Sequence, residues 1–221
     1  MSSHRDYKSE IARYVRRNRV SSTEVADCLG KTGSIPRVKA INRGHYVVGN
    51  VFWVYAHAGT NWYVHEQIQN VTEGDVVIIE AFDCGDRAII GDLVAKYLLL
   101  YRQARAIVVG GNVRDAPRLI KENWPIWCEG FNPVGCVNAE VDHDLKGELK
   151  DERRALYHGS IAVCDDTGVV VIPKDDHSQR FLEKLEFIEH QEDIWYECID
   201  RKKWSTYDTV CLKRYQDQTG D

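Results

Sequence analysis

The stretch AIVVGGNVRDAPRL, Ala106 to Leu119, decides how the rest of the chain is read. Ala106-Ile107-Val108-Val109 has no polar residue on either face, the pattern of a strand buried on both sides. A helical stretch from about Ala116 to Glu122 follows, so a strand feeds a helix, as in α/β proteins. Between them stands the pair Arg114-Asp115, just past two glycines. One reading makes it a helix start, with Asp115 as cap and Arg114 solvated. The other makes it a site, because ligands of α/β sheets bind outside the carboxyl ends of strands. There the Arg fork would hold an anionic oxygen and the carboxylate a hard cation. Spacing alone leaves the two readings even.

Working outward, the same alternation recurs. The turn Glu73-Gly74-Asp75 leads into Val76 to Ile79, a strand apolar on both faces and so central. A helix is predicted from about Gly91 to Gln103, with Leu93, Val94, Tyr97, Leu98 and Tyr101 at helical spacing. Upstream, Ser21 and Glu24 form a capping box for a short helix that Gly30 closes. Extended segments are predicted over Arg37 to Ile41 and Tyr46 to Tyr55, and a helix over Asn61 to Asn70. Downstream, Ser160 to Cys164 and Val169 to Ile172 flank Asp165-Asp166-Thr167-Gly168, the clearest hairpin in the chain. Gln179 to Trp204 reads as an amphipathic helix. This divides the chain into an α/β domain, 1–175, and a C-terminal helical arm, 176–221.

Bulk properties narrow the function. A chain of 221 residues with 43% hydrophobic content supports one main core. The net charge of -5 offers no general attraction to nucleic acid or to an anionic membrane, and neither is expected as a partner. No apolar run is long enough to span a bilayer, and the start MSSHRDYKSE lacks the apolar core of a signal peptide, so a cytoplasmic protein is expected. The seven cysteines, with no C-x-x-C pair, read as reduced core residues.

A second strand-to-helix junction, Ile90-Gly91-Asp92-Leu93-Val94, presents first-turn N–H groups that could hold a carboxylate or phosphate, with Gly91 allowing close approach. Taken alone, the simpler reading of a helix merely capped by Asp92 is the favoured one. His57 and His65 lack a metal-ligand set nearby, turn geometry accounts for Asp165-Asp166, and Arg13, Arg16, Arg17 and Arg19 read as a solvated helix face.

Together, Gly91-Asp92-Leu93-Val94, Gly111-Asn112-Val113-Arg114-Asp115, Cys164 to Pro173 and Ser22 to Gly30 resemble the RraA-like family, in the right order over residues of about 20 to 175. That family holds regulators of ribonuclease activity A and class II pyruvate aldolases acting on 4-hydroxy-4-methyl-2-oxoglutarate and 4-carboxy-4-hydroxy-2-oxoadipate. The resemblance implies a layered β/β/α swivelling-domain fold with a C-terminal helical arm. It implies that Gly91, Asp92, Leu93 and Val94 bind a pyruvate carboxylate and that Arg114 contacts the ketone oxygen. Asp92 would orient a catalytic water, Asp115 would hold Mg2+ or Mn2+, and a Glu from a neighbouring subunit's arm would assist. Glu192 is the candidate for that Glu, followed by Glu189.

The expected activity is metal-dependent retro-aldol cleavage of a 4-hydroxy-2-oxo acid, with oxaloacetate decarboxylation as a second reaction. The resemblance also implies a homotrimer or a pair of trimers. The regulators typically lack the Asp after the Arg, and this chain has it, which favours an enzyme. The alternatives are a non-catalytic regulator that binds a protein, or another lyase or hydratase using the same site. The charged segment between Val134 and Ser160 departs from the family and is expected to reshape a loop near the pocket. Gly110 and Gly111 are expected to clear space for substrate.

Overall fold

A computed structural model describes residues 5–219, so Met1 to His4 and the last two residues of the expected arm lie outside it. The chain opens with two helices, α1 (Tyr7–Asn18) and α2 (Ser22–Cys28), the second started by the capping box of Ser21 and Glu24. Next come β1 (Lys39–Ala40), β2 (Val47–His57), α3 (Trp62–Gln67), β3 (Asp75–Phe82), β4 (Ala88–Ile90) and α4 (Asp92–Lys96). The helix predicted from Gly91 to Gln103 is therefore α4 continued by a wider π turn over Tyr97–Tyr101. Then follow β5 (Ala106–Val113), α5 (Ala116–Lys121), β6 (Ile126–Phe131), α6 (Gly147–Tyr157), β7 (Ile161–Cys164), β8 (Val169–Ile172) and α7 (Gln179–Tyr196). Among the described residues no helix is long and apolar enough to cross a membrane.

All strands share one mixed sheet, ordered β1-β6-β5-β3-β2-β7-β8, with β4 pairing β5 at its end. The strands β2, β3, β5 and β6 run parallel, while β7 and β8 form the antiparallel hairpin. The sheet curls until it nearly closes. Ile35, just upstream of β1, donates its N–H to Val169 O, and Val171 donates to Gly33 O. That seam joins the segment leading into β1 to the last strand.

Alternation along the strands sorts the side chains into an interior and an exterior. On β3, Val76 and Ile78 point inward with Trp53, Val108 and Trp127, whereas Val77 and Ile79 face outward beneath Val94 and Leu98. On β7 and β8, Ile161, Val163, Val170 and Ile172 face outward under α1, α2 and α7, where Phe181, Leu185 and Ile188 are buried. The first half of α7 thus packs on its own chain. Within the segment expected to reshape a loop near the pocket, the charged residues from Gly147 to Tyr157 build α6 against the interior cluster. Leu145 is buried among the inward-facing residues, Tyr55 Oη donates to Asp144 Oδ1 at 2.7 Å, and Arg153 pairs with Glu80.

Candidate active site

The junction β4-α4 and the junction β5-α5 lie side by side because β4 pairs with the end of β5. Ile90 stands opposite Val113, and Arg114 N–H donates to Ile90 O at 3.0 Å. Arg114 and Asp115 therefore sit against the first turn of α4. Asp115 adopts the left-handed conformation (φ 62, ψ 31) that carries the chain from strand to helix. In that pose its Oδ2 accepts the Asp92 N–H at 3.1 Å and lies 3.7 Å from Arg114 Nε. Asp115 thus sits at the start of α5 with its carboxylate turned across to α4, and no side-chain cap bond is made to α5 itself.

One cleft gathers Gly91, Asp92, Leu93, Val94, Arg114 and Asp115. The residues expected from the two junctions are thus brought together. Glu192 does not line it. It lies on α7 near Glu24 and Asp27 of α2, and burial together with those carboxylates raises its carboxyl above the usual range. Glu189 is engaged within its own chain by Tyr14 Oη and Asn18.

The glycines that make room are not those expected. Gly110 would have ordinary contact for a side chain, and Gly111 faces Ile89, so neither opens the cleft. A Cβ on Gly91 would fall 2.2 Å from Asp115 Oδ2, and one on Gly135 2.7 Å from Arg114 Nη1. These two let the charged pair lie close to the backbone.

The sequence reading also passed over three contributors. Arg118 Nη1 donates to Asp92 Oδ2 at 2.6 Å. That bond holds the Asp92 carboxyl below its usual range, so it stays ionised near neutral pH. Arg118 follows Asp115 by three residues, the spacing that places both on one helix face, which is the signal that could have found it. Asn61, almost fully buried, donates to Ile89 O at 3.1 Å and braces the strand before Gly91. Gly135 comes from the loop after β6 and had no local signal.

The profile of the RraA-like family, described as Aldolase/RraA, matches residues 22–171. The chain belongs to the RraA-like family. An RraA-like relative from Halalkalibacterium halodurans, whose name reads "Putative 4-hydroxy-4-methyl-2-oxoglutarate aldolase", is 31% identical over 164 residues, covering 70% of this chain and 73% of that protein. Among solved structures, an uncharacterized protein from Pseudomonas syringae pv. tomato shares the fold with a TM-score of 0.69 at 21% identity, over 96% of this chain and 99% of that one. Streptomyces coelicolor RraAS2, described as an unusual member of the RNase ES inhibitor RraA protein family, aligns with a TM-score of 0.64 at 24% identity, over 83% and 95%. Both share the nearly closed mixed sheet with its helices, which is the RraA-like fold seen here.

Proposed function

We propose that this chain is a divalent-metal-dependent lyase that cleaves a 4-hydroxy-2-oxo acid to pyruvate by retro-aldol chemistry, and that also decarboxylates oxaloacetate. The observation that carries the reading is the meeting of Arg114 and Asp115 with the first turn of α4 in one cleft. A fixed cation, an acidic oxygen and helix N–H groups suit a substrate with a carboxylate beside a ketone.

The residues fit a metal of the Mg2+ class. Among the described residues no three His, Cys, Asp or Glu side chains converge, which disfavours a closed protein cage. A hard cation that keeps most of its waters needs only one or two carboxylates, and Asp115 is part-exposed to the cleft beside Asp92. When bound, such an ion supplies Lewis-acid charge beside the substrate ketone.

The chain's own groups do the rest. First-turn amides of α4 other than that of Asp92, which Asp115 holds, receive the 2-oxo acid carboxylate. Arg114 sets its guanidinium beside the ketone oxygen, where negative charge grows as the C–C bond breaks, a contribution of a few kcal/mol in preorganised sites (about 3). Asp92, kept ionised and oriented by Arg118, accepts a hydrogen bond from the water that takes the 4-hydroxyl proton as the C–C bond breaks and passes a proton to the methylene carbon of the enolate.

Apolar side chains around the cleft support the assembly. Leu93, which lines the cleft, is exposed, as are Val134 and Val137 in the loop that supplies Gly135 and Cys136 to it, and Ile120 and Phe131 on α5 and β6. Such a patch calls for a partner surface, and we assign it to a second copy of this chain in a homotrimer or a pair of trimers, with Glu192 as the candidate residue reaching a neighbour's cleft.

The deciding assay measures pyruvate release from oxaloacetate and from 4-hydroxy-4-methyl-2-oxoglutarate, with Mg2+ or Mn2+ and then with a chelator. Metal-dependent release that Arg114→Ala abolishes supports the lyase. Absence of release from folded, metal-loaded protein would move the assignment to a regulator that binds a protein partner.

A further inference from the structure

Asn61 stands at the N-cap of α3, where an Asn oxygen ordinarily accepts an N–H of the first turn. It makes no such bond. Thr60 takes that place, because Trp62 N–H donates to Thr60 Oγ1 at 3.1 Å. The rest of Asn61 is engaged: its N–H donates to Val137 O at 3.0 Å, its carbonyl accepts the His65 N–H at 3.2 Å, and Nδ2 donates to Ile89 O. Its Oδ1 is buried without a partner, in a residue that is 8% exposed and lines the cleft of Arg114 and Asp115. A buried acceptor left unpaired costs stability, which a ligand that brings it a proton restores.

The neighbours of that oxygen are of one kind. The 2-oxo acid head, on the reading above, takes Arg114, Asp115 and the first turn of α4. The polar side chains that remain along the cleft are Asn61, His65 and Asn138. Burial lowers the pKa of His65, one helical turn along α3 from Asn61, so its ring is neutral near pH 7. Among the described residues, the charges that line the cleft are Asp92, Arg114 and Asp115. Arg118 is engaged with Asp92, and Arg87, which reaches the same loop from outside the lining, donates Nη1 to Gly135 O at 3.0 Å. A substrate tail ending in a carboxylate would bring no proton to Oδ1 and would find no fixed cation of its own. A hydroxyl can donate to Oδ1.

We propose that the substrate beyond C4 is an uncharged, hydroxylated chain, and that Asn61 selects it by accepting a hydrogen bond from the C5 hydroxyl at Oδ1. The substrate class is then a polyhydroxy 2-oxo acid, an assignment that rests on the lyase reading. The C3–C4 bond breaks and its electron pair passes to the enolate. The 4-hydroxyl loses its proton as C4 becomes an aldehyde carbonyl, and C3 gains one, so the products are pyruvate and a hydroxyaldehyde. The C5 hydroxyl keeps its proton throughout. Asn61 therefore determines specificity and takes no part in proton transfer.

The test compares kcat/KM for pyruvate release by the full chain with Mg2+ from 4,5,6-trihydroxy-2-oxohexanoate, 4-hydroxy-2-oxohexanoate and 4-hydroxy-2-oxoglutarate. The first should exceed the other two by roughly 10- to 100-fold, the range for leaving one buried acceptor unpaired. Equal values, or a preference for the glutarate, would overturn the proposal. Asn61→Leu, close to Asn in size, should erase the advantage of the trihydroxy acid. Because that variant also loses the bond to Ile89 O, decarboxylation of oxaloacetate, which has no C5, is measured beside it. Loss of the preference with decarboxylation retained supports selection by Oδ1, whereas a parallel loss of both marks a structural role and overturns it. If Asn61→Leu does not fold, the three substrates on the unsubstituted chain still decide. Pyruvate from oxaloacetate with equal kcat/KM for the three acids would remove the substrate class alone. No pyruvate from any of the four would sink the lyase reading, and the substrate class with it.

Discussion

A methyl group at Gly91 would approach Asp115 Oδ2 to 2.2 Å and Arg114 Cγ to 2.9 Å, well inside van der Waals contact. Arg114 Cγ is close to its own backbone and cannot swing away cheaply, so the pair must shift. Gly91→Ala is expected to cut pyruvate release by about 10²-fold, as a displacement of about an ångström in a reacting geometry does. At Gly135 the clashing atom is the tip of the Arg114 side chain, which can move, so Gly135→Ala should raise KM and leave kcat nearer the original. Steady-state kinetics on the two variants distinguish these outcomes. Asp115 allows a cleaner deletion of charge. Its left-handed backbone suits Asn nearly as well as Asp, whereas Ala there adds strain. Asp115→Asn should leave the unfolding midpoint almost unchanged and reduce metal-dependent release by about 10²-fold, the cost typical of losing one preorganised electrostatic group. At this scale the position of Arg114 and Asp115 after a strand marked them as candidates, and only the family resemblance favoured a site over a helix start. Which glycines they need was not, because Gly91 and Gly135 are defined by a contact across chain segments, whereas Gly110 and Gly111 stood out only as neighbours.

The hairpin of β7 and β8 and the capping box of α2 appeared where the residues placed them, since turn and cap chemistry act over a few positions. The segment holding α6 was harder to read. Its charges suggested a reshaped loop near the pocket, but a few apolar residues, Leu145, Leu149 and Tyr157, turn it into a plug for one part of the interior. The sequence around Leu145 has no periodicity that reveals this, because the partner surface is assembled from β2, β3 and the hairpin. Leu145→Ala should cost about 2–5 kcal/mol of unfolding free energy, the range for truncating a buried leucine. Since α6 does not line the cleft, the same variant should keep its pyruvate release at temperatures below its lowered midpoint. The first half of α7 follows the same lesson: its stripe of Phe181, Leu185 and Ile188 was visible, but only the folded chain shows it covering β7 and β8.

For the molecule as a whole, two partly covered histidines couple the fold to pH. Burial lowers the pKa of both His158 and His177, with positive neighbours adding to the effect. His158 Nδ1 accepts the Trp53 N–H, and His177 Nε2 is buried without a partner, so neither site welcomes a second proton. Because the folded values lie below the unfolded one, the unfolded chain takes up protons first as pH falls. Stability is therefore full above about pH 6.5 and declines below it. Thermal midpoints from pH 8 to 5 should fall, and His177→Gln should flatten that slope. The proposed assembly makes a separate claim at this scale: Phe131→Glu, at an exposed apolar residue closing β6, should shift the sedimenting species toward the monomer and reduce release together.

The near-closure of the sheet also dictates an order of events in time. Residues 33–35 meet 169–171 only after almost the whole strand sequence has been laid down, so that contact closes the longest loop in the sheet and has the largest entropy to overcome. It holds by a few backbone bonds, while Val77 and Val108 are locked between neighbours on both sides. In deuterated water the Ile35 and Val171 amides should therefore lose their protons well before those central amides. The molecule would breathe at its seam, as a cylinder rolled from a sheet opens along the edge that was joined last.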